Sequence, residues 1–436
     1  MAELLIEGGR RLSGHIAVGG NKNAALPLLA ACLLTTEPCE LRNVPQIRDV
    51  TVMLDLLRAL GAEVEQVDAT TVRITCREVG SSEPDARLVG RLRGSVLLIG
   101  ALLGRTGRAV LAPPGGDFPA RRTIATHVRA LVAMGGRLVE REAGHELVAP
   151  EGLSGASMYL LEASVTGTET ALLAAAQARG VTEIRNAASE PHVAELCAFL
   201  SAMGARVEGA GTSTIRIEPP ARLGGATHRL RGDYIEAASW AVVAAATGGD
   251  VEITGVHASD LEPITAVLAE MQLRFTLEDR RLVILPSELV AARRITTRVW
   301  PGFPSDIVSL VTVLATRAQG RTLVHDWMYE LRLFALEQLS AMRADLFLCD
   351  PHRIIVSGPS QLCGRTLDSR DIRSGMALIA AALAAEGQST ILEIETVERG
   401  YGDLVGRLTS LGASVARVEQ ATGRQPQTGG RRPSAV

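Results

Sequence analysis

Six copies of one phrase, spaced close to 70 residues apart, constrain the fold of this 436-residue chain more than any other feature. The phrase joins the end of an apolar helix, a glycine and the start of an alternating segment. It reads Leu57-Arg58-Ala59-Leu60-Gly61-Ala62-Glu63-Val64, then Leu131-Val132-Ala133-Met134-Gly135-Gly136-Arg137-Leu138, then Leu200-Ser201-Ala202-Met203-Gly204-Ala205-Arg206-Val207. It returns without its glycine at Leu268-Ala269-Glu270-Met271-Gln272 and Leu339-Ser340-Ala341-Met342-Arg343, and intact at Leu408-Thr409-Ser410-Leu411-Gly412-Ala413-Ser414-Val415. Successive glycines, or their replacements, lie 74, 69, 68, 71 and 69 residues apart. Glycine at such a point supplies the left-handed backbone that ends a helix before a strand begins. A unit this long is a small subdomain, beyond the period of a solenoid, so six units predict two domains of three each. The fourth and fifth copies, having lost the glycine, mark the second domain as the more drifted.

Hydrophobic residues make up 47% of the chain but aromatics only 3%, which predicts cores of small aliphatic side chains in regular layers. A net charge of −3 argues against a surface that coats nucleic acid. The longest apolar stretches, 24–34 and 376–385, are too short to span a bilayer. Met1-Ala2-Glu3-Leu4 lacks a basic region ahead of an apolar segment, so the expectation is a soluble cytoplasmic protein. Cys32, Cys39, Cys76, Cys197, Cys349 and Cys363 include no Cys-x-x-Cys pair and point to buried free thiols rather than zinc ligands or disulfides. Residues 420–436 carry no apolar periodicity and are expected to be disordered.

Lys22 is the only lysine; the other 44 of the 45 basic residues are arginines. It stands in Gly19-Gly20-Asn21-Lys22-Asn23-Ala24-Ala25, where a glycine-rich turn enters an apolar helix. A helix N-terminus already carries about half a positive charge, so a cation there is misplaced unless an anion lies between them. The functional reading is a phosphate or carboxylate site; the alternative is a surviving lysine that snorkels into water. A compact ammonium is not equivalent to a guanidinium at a reacting phosphate.

Further chemistry falls between the repeats. Pro113-Pro114-Gly115-Gly116-Asp117-Phe118-Pro119-Ala120-Arg121-Arg122 reads as a loop able to fold over a substrate, or as a Gly-Asp turn with solvated arginines. Asp306 in Phe303-Pro304-Ser305-Asp306 precedes the apolar run 307–314 and is by itself a helix-start acid. Arg332, Arg373 and Arg399 follow strand-like segments and, with Lys22, could line a polyanion pocket. Ser164-Val165-Thr166-Gly167-Thr168-Glu169 has the look of a capping box, with Ser164 or Thr166 as the cap and Glu169 reaching back, or of a rest for a diphosphate or sugar.

Taken together these residues resemble the enolpyruvyl transferase family, of the UDP-N-acetylglucosamine 1-carboxyvinyltransferase type, from about Leu5 to Val418. The resemblance rests on Lys22-Asn23-Ala24-Ala25, Arg42-Asn43-Val44-Pro45 with Asp49, Gly115-Gly116, the 164–169 segment, Asn186-Ala187-Ala188 with Glu190-Pro191, Phe303-Pro304 with Asp306, Asp371 with Arg373, and Arg399-Gly400-Tyr401. It implies a two-domain inside-out α/β barrel built from six pseudo-repeats of a βαβαββ-like unit. The first domain would span 21–231 and carry the Asp117 loop; the second would combine 1–20 with 232–419.

The implied reaction adds the enolpyruvyl group of phosphoenolpyruvate to the sugar 3-hydroxyl and eliminates phosphate, the step that opens peptidoglycan synthesis, with no metal or cofactor. It needs a proton for the methylene carbon, a base for the hydroxyl, and cations for phosphate and carboxylate. By resemblance Asp306 is the base and Asp117 the loop acid. Lys22, Arg122 and Arg399 hold the phosphate, while Arg332 and Arg373 take the carboxylate or steady the closed state. Asn23, Arg93, Arg122, Thr123, Ile124, Ala125, Thr126, Ser164, Val165 and Met328 line the substrate side. Neither nucleic acid nor membrane is an expected partner.

Most members carry a cysteine where this chain has Asp117. A carboxyl of ordinary pKa about 3.9 is ionised at pH 7, so it can serve as an acid only when desolvated or supplied with a proton by the substrate phosphate. Activity is then expected to fall towards alkaline pH more steeply than in a thiol enzyme, and fosfomycin, which alkylates the cysteine, to form no adduct. Thr123 and Ala125 depart from the family's usual proline and acid beside the uracil, and Phe334-Ala335 and Arg343 depart as well. This keeps open a different nucleotide or phosphorylated acceptor, and a non-catalytic nucleotide-sugar-binding regulator.

Overall fold

The computed structural model describes residues 2–115, 123–329 and 332–419. Six small sheets are present, five of four strands and one of three. The third unit shows the plan. Strand Ser157–Tyr159 runs parallel to Thr182–Arg185, which pairs antiparallel with Thr214–Glu218, which pairs antiparallel with Arg206–Glu208. Helix Val165–Ala175 connects the first two strands and helix Pro191–Ala202 connects the second to the third. That is the βαβαββ order, and it recurs in the other units.

Sequence explains which layer goes inside. The helices Lys22–Ala31, Leu97–Thr106 and Val165–Ala175 are built of Ala, Leu, Val, Ile and Gly with few interruptions. Such helices have no polar face to show to water, so they pack on one another and are buried nearly throughout. Tyr234–Ala246, Val308–Ala315 and Ile372–Ala384 do the same in a second group. The sheets lie outside them, each with one polar face. The fold is therefore the expected inside-out α/β architecture, and its buried hydrophobics form two clusters, one drawn from 24–230 and the other from 2–18 and 234–413.

Two sheets borrow a strand from a distant part of the chain. Ser13–Ala17 supplies the first strand beside Asp250–Thr254, and Thr227–Arg229 supplies the first strand beside Cys39–Arg42. Between them the chain crosses from one core to the other twice, side by side. Gly20 bridges Gly232 antiparallel, Asn21 N–H donates to Arg231 C=O at 2.8 Å, and Asp233 N–H donates to Gly19 C=O at 2.9 Å. Glycine is required here: a Cβ on Gly20 would lie 1.7 Å from Asn43 O, and one on Gly232 would lie 2.2 Å from Gly255 O. The amino-terminal strand Ala2–Glu7 is inserted into the last sheet between Gln388–Leu392 and Ser414–Glu419, with Ala2 opposite Glu419.

All six repeat positions have left-handed backbone, with φ of 98°, 96°, 108°, 58°, 70° and 87° at Gly61, Gly135, Gly204, Gln272, Arg343 and Gly412. Loss of the glycine changed the residue and left the turn as it was. Cys32, Cys39, Cys76 and Cys197 are buried free thiols, but Cys349 is exposed because it points outward from strand Asp345–Asp350. Among the described residues no helix is long and apolar enough to cross a membrane. The 420–436 segment lies outside the described residues.

Candidate active site

Lys22 opens helix Lys22–Ala31, whose cap is Asn21: its Oδ1 accepts from Asn23 N–H at 2.8 Å and Ala24 N–H at 3.2 Å. The Lys22 N–H in turn donates to Asp233 Oδ2 at 3.3 Å across the crossing strands. The ammonium does not snorkel into water. Its side chain is 17% exposed and Nζ lies 3.2 Å from Asp49 Oδ2. The other oxygen of Asp49 lies 3.5 Å from Arg399 Nε, which comes from helix Glu395–Tyr401 in the second core. One buried carboxylate thus joins the two cations that the sequence singled out. A cavity of about 230 Å³ opens at this seam, with Lys22, Pro45, Asp233, Tyr401 and Arg407 in its wall.

Asp306 sits in the short 3₁₀ turn Ser305–Ile307 that leads into the buried helix Val308–Ala315. Arg332 Nη2 and Arg373 Nε lie 3.5 and 3.4 Å from the same Asp306 oxygen. Both guanidiniums are nearly buried, at 11% and 12% exposure. Burial works against the charge of each, but Asp306 foremost outweighs it and raises both above the ordinary arginine value. Arg332 is fixed further by Ser305 Oγ at 2.7 Å and stacks 4.3 Å over the Tyr329 ring. Ser305 donates to Asp326, a fully buried acid that also accepts from Thr297 Oγ1 at 2.7 Å and Met328 N–H at 3.2 Å. Arg373 reaches the Tyr401 hydroxyl at 3.4 Å, on the helix that carries Arg399. The Asp306 group and the Asp49 group are therefore neighbours through one helix.

On the first core, Arg93 Nη2 donates to Thr123 C=O at 3.3 Å, Thr123 Oγ1 accepts from Ala125 N–H at 3.1 Å, and Thr126 Oγ1 meets Glu162 at 2.9 Å. Ile124 is buried beneath them. Ser164 is the cap of helix Val165–Ala175, accepting from Gly167 N–H at 3.2 Å. The capping-box expectation is corrected in its other half. Glu169 does not reach back; it lies beyond the third helical position and is buried, while Thr166 Oγ1 bonds His127 Nε2 at 2.8 Å. Asp117 and Arg122 lie outside the described residues.

Sequence reasoning missed a set of buried titratable groups between the cores. Burial, with the Asp306 carboxylate adding to it, pushes Glu190 up to about 7, and its Oε2 has no hydrogen-bond partner among the described residues. Burial then Glu190 raise Glu169 well above the usual carboxylate range. Burial pulls His192 and His127 down to about 4. His192 stacks on Tyr234 of the second core with centroids 6.4 Å apart, and Ser189 Oγ donates to Trp300 C=O at 3.0 Å. The only advance signal for Glu190 was its place in the Glu190-Pro191 motif. Nothing local marks His192, whose setting comes from the other core.

Comparison with known proteins agrees with this geometry. The EPSP synthase (3-phosphoshikimate 1-carboxyvinyltransferase) family model matches residues 6–408. The UDP-N-acetylglucosamine 1-carboxyvinyltransferase of Treponema denticola is 42% identical over 96% of this chain and 100% of its own length. That of Bradyrhizobium diazoefficiens is 42% identical over 96% and 98%. Among solved structures, the enolpyruvyl transferase NikO from Streptomyces tendae superposes with a TM-score of 0.87 at 26% identity, covering 95% of this chain and 98% of NikO. EPSP synthase from Acinetobacter baumannii, at 20% identity and a TM-score of 0.76, shares the fold.

Proposed function

The chain belongs to the UDP-N-acetylglucosamine 1-carboxyvinyltransferases within the EPSP synthase family, and from that premise we propose that it transfers the enolpyruvyl group of phosphoenolpyruvate to the 3-hydroxyl of UDP-N-acetylglucosamine, the first committed step of peptidoglycan synthesis. The observation that carries the assignment of roles is the juxtaposition of Asp306, held between Arg332 and Arg373, with Lys22 and Arg399, gathered by Asp49. A base and two sets of cations then meet at one seam, as addition to an anionic enol ether requires.

In the first half-reaction Asp306 takes the proton of the sugar hydroxyl as its oxygen bonds to C2 of phosphoenolpyruvate, and Asp117 supplies a proton to C3. In the second, a proton leaves C3, the bond from C2 to the phosphate oxygen breaks, and the enol ether and phosphate are released. Lys22 and Arg399, with Arg122, hold the phosphate; Arg332 and Arg373 hold the carboxylate and fix Asp306. Arg93, Thr123 to Thr126, Ser164, Val165 and Met328 receive the nucleotide sugar, and Asn23 completes the floor beside Lys22. The two cores act as two domains, 21–231 against 1–20 plus 232–419, that close on the substrates in the cytoplasm. With aspartate in the loop, fosfomycin has no thiol to alkylate.

Phosphate release from phosphoenolpyruvate tests the reading. Release that depends on UDP-N-acetylglucosamine, and not on a phosphorylated cyclohexene acid, supports it. Release with another acceptor alone shifts the acceptor. Asp306→Ala should keep nucleotide-sugar binding and lose turnover by about 10²-fold or more; loss of both would return Asp306 to a structural role.

A further inference from the structure

We propose that Asp49 is the internal counter-anion of the phosphate site, a positioning residue that joins Lys22 to Arg399 across the two cores and competes with free phosphate for both cations. This rests on the reading above, which places the phosphate between those cations. The geometry is that of an anion already in residence. Each oxygen of one carboxylate serves a different cation, Oδ2 at 3.2 Å from Lys22 Nζ and Oδ1 at 3.5 Å from Arg399 Nε. The Asp49 side chain is 8% exposed, in the first turn of helix Arg48–Ala59, and so is fixed by the fold rather than free to swing away.

Both contacts are longer than the 2.7–2.9 Å typical of well-made charge-assisted hydrogen bonds. They are loose enough to be exchanged for an incoming dianion, which can attract both cations more strongly than a single-charged carboxylate does. The consequence falls on the product side. Phosphoenolpyruvate brings a carboxylate for Arg332 and Arg373 as well as a phosphate, and its affinity is shared over both groups of cations. Inorganic phosphate has only the Lys22 and Arg399 end, where Asp49 opposes it. Asp49 thereby weakens binding of the leaving product more, in proportion, than binding of the substrate.

Two effects of removing the carboxylate oppose each other. Deleting a negative charge a few ångströms from a bound anion should tighten that anion about tenfold at the dielectric of a half-buried site. Losing the bridge that aligns the cations should cost less, below about fivefold, because partly exposed ion pairs contribute little. The charge effect wins, and the prediction has a sign.

Inorganic phosphate is titrated by calorimetry into the wild-type chain, Asp49→Asn, Asp49→Ser and Asp49→Glu, and the same proteins are assayed for turnover. Both neutral variants are expected to bind phosphate several-fold to about tenfold more tightly. Their KM for phosphoenolpyruvate should fall less than that, and kcat should fall as product leaves more slowly. Asp49→Glu should restore weak phosphate binding. Phosphate affinity unchanged or weaker in both neutral variants overturns the proposal, as does an unchanged kcat under saturating substrates with phosphate bound tightly. Asp49→Ser stands in should Asp49→Asn lose its cooperative thermal transition. Absence of wild-type phosphate release from phosphoenolpyruvate and UDP-N-acetylglucosamine would instead sink the functional reading, whatever calorimetry shows for Asp49.

Discussion

Lys22 is positioned by three separate features: a capped helix start, a backbone hydrogen bond to Asp233 and an ion pair to Asp49. An arginine there keeps the charge but carries a longer, planar head that cannot occupy the same point against Asp49. Lys22→Arg is expected to fold normally and to lose about 10²-fold in kcat, judged by phosphate release alongside a thermal melt. The buried pair Glu190 and His192 gives a second prediction. Glu190 holds its proton in the folded chain up to about pH 7 but releases it near 4.5 when unfolded, so folding is progressively penalised as pH rises through that window. Glu190→Gln should therefore be more stable than wild type by up to about 3 kcal/mol at pH 8 and no different at pH 4, by guanidinium denaturation. His192 and His127 work in the opposite sense. Each is neutral down to about pH 4 in the fold, so stability falls as pH drops from 6.5 towards 4. His192→Phe, which keeps a ring against Tyr234, should flatten that acid limb. At this scale the sequence showed the cations, because a lone lysine among arginines is visible in composition. It hid the anions and neutral groups that surround them, because the burial of Glu190 and His192 and the second partner of Asp49 are supplied by segments more than 100 residues away.

Elements were the most legible scale. A phrase repeated six times implies the same turn six times, and the backbone adopts it even where the residue no longer suits it. Gln272 and Arg343 hold positive φ at the cost of a Cβ in a crowded region of backbone space. Gln272→Gly and Arg343→Gly should each stabilise the chain by up to about 1 kcal/mol, less the extra unfolded-state freedom of glycine. An unchanged or lowered denaturation midpoint would show that side-chain contacts at those turns compensate. What the repeat could not convey was the exchange of strands between units. Ser13–Ala17 and Thr227–Arg229 each look like ordinary strand beginnings, and only pairing over more than 180 residues reveals which sheet each one completes. The capping-box misreading has the same origin: Glu169 fits the pattern approximately by type, but its helix is buried on every side and leaves no room for a side chain to fold back to the cap.

For the whole molecule, the position of the amino terminus matters as much as the seam between the cores. Ala2–Glu7 is an interior strand of the last sheet, so deletion of residues 1–7 should remove support on both flanks and abolish cooperative unfolding of the second core. A circular permutant should fare far better. Because Ala2 lies opposite Glu419, a hairpin-length linker of about two to five residues can join them, with new ends at the exposed turn 209–213. That variant is expected to retain turnover; its failure to fold would show that the terminal strands need free ends. The six-unit plan and the family were within reach of the sequence alone, whereas the meeting of distant side chains at the seam was not. The paired crossing at Gly20 and Gly232 bears on how that seam can work. A single connecting strand is a swivel that leaves one body free to roll and twist about the other. Two antiparallel strands pinned to each other resist twisting and favour bending across their ladder, so approach of the halves is reduced to nearly one degree of freedom. The two groups of charges then need no orientational search to meet: one arc carries them together.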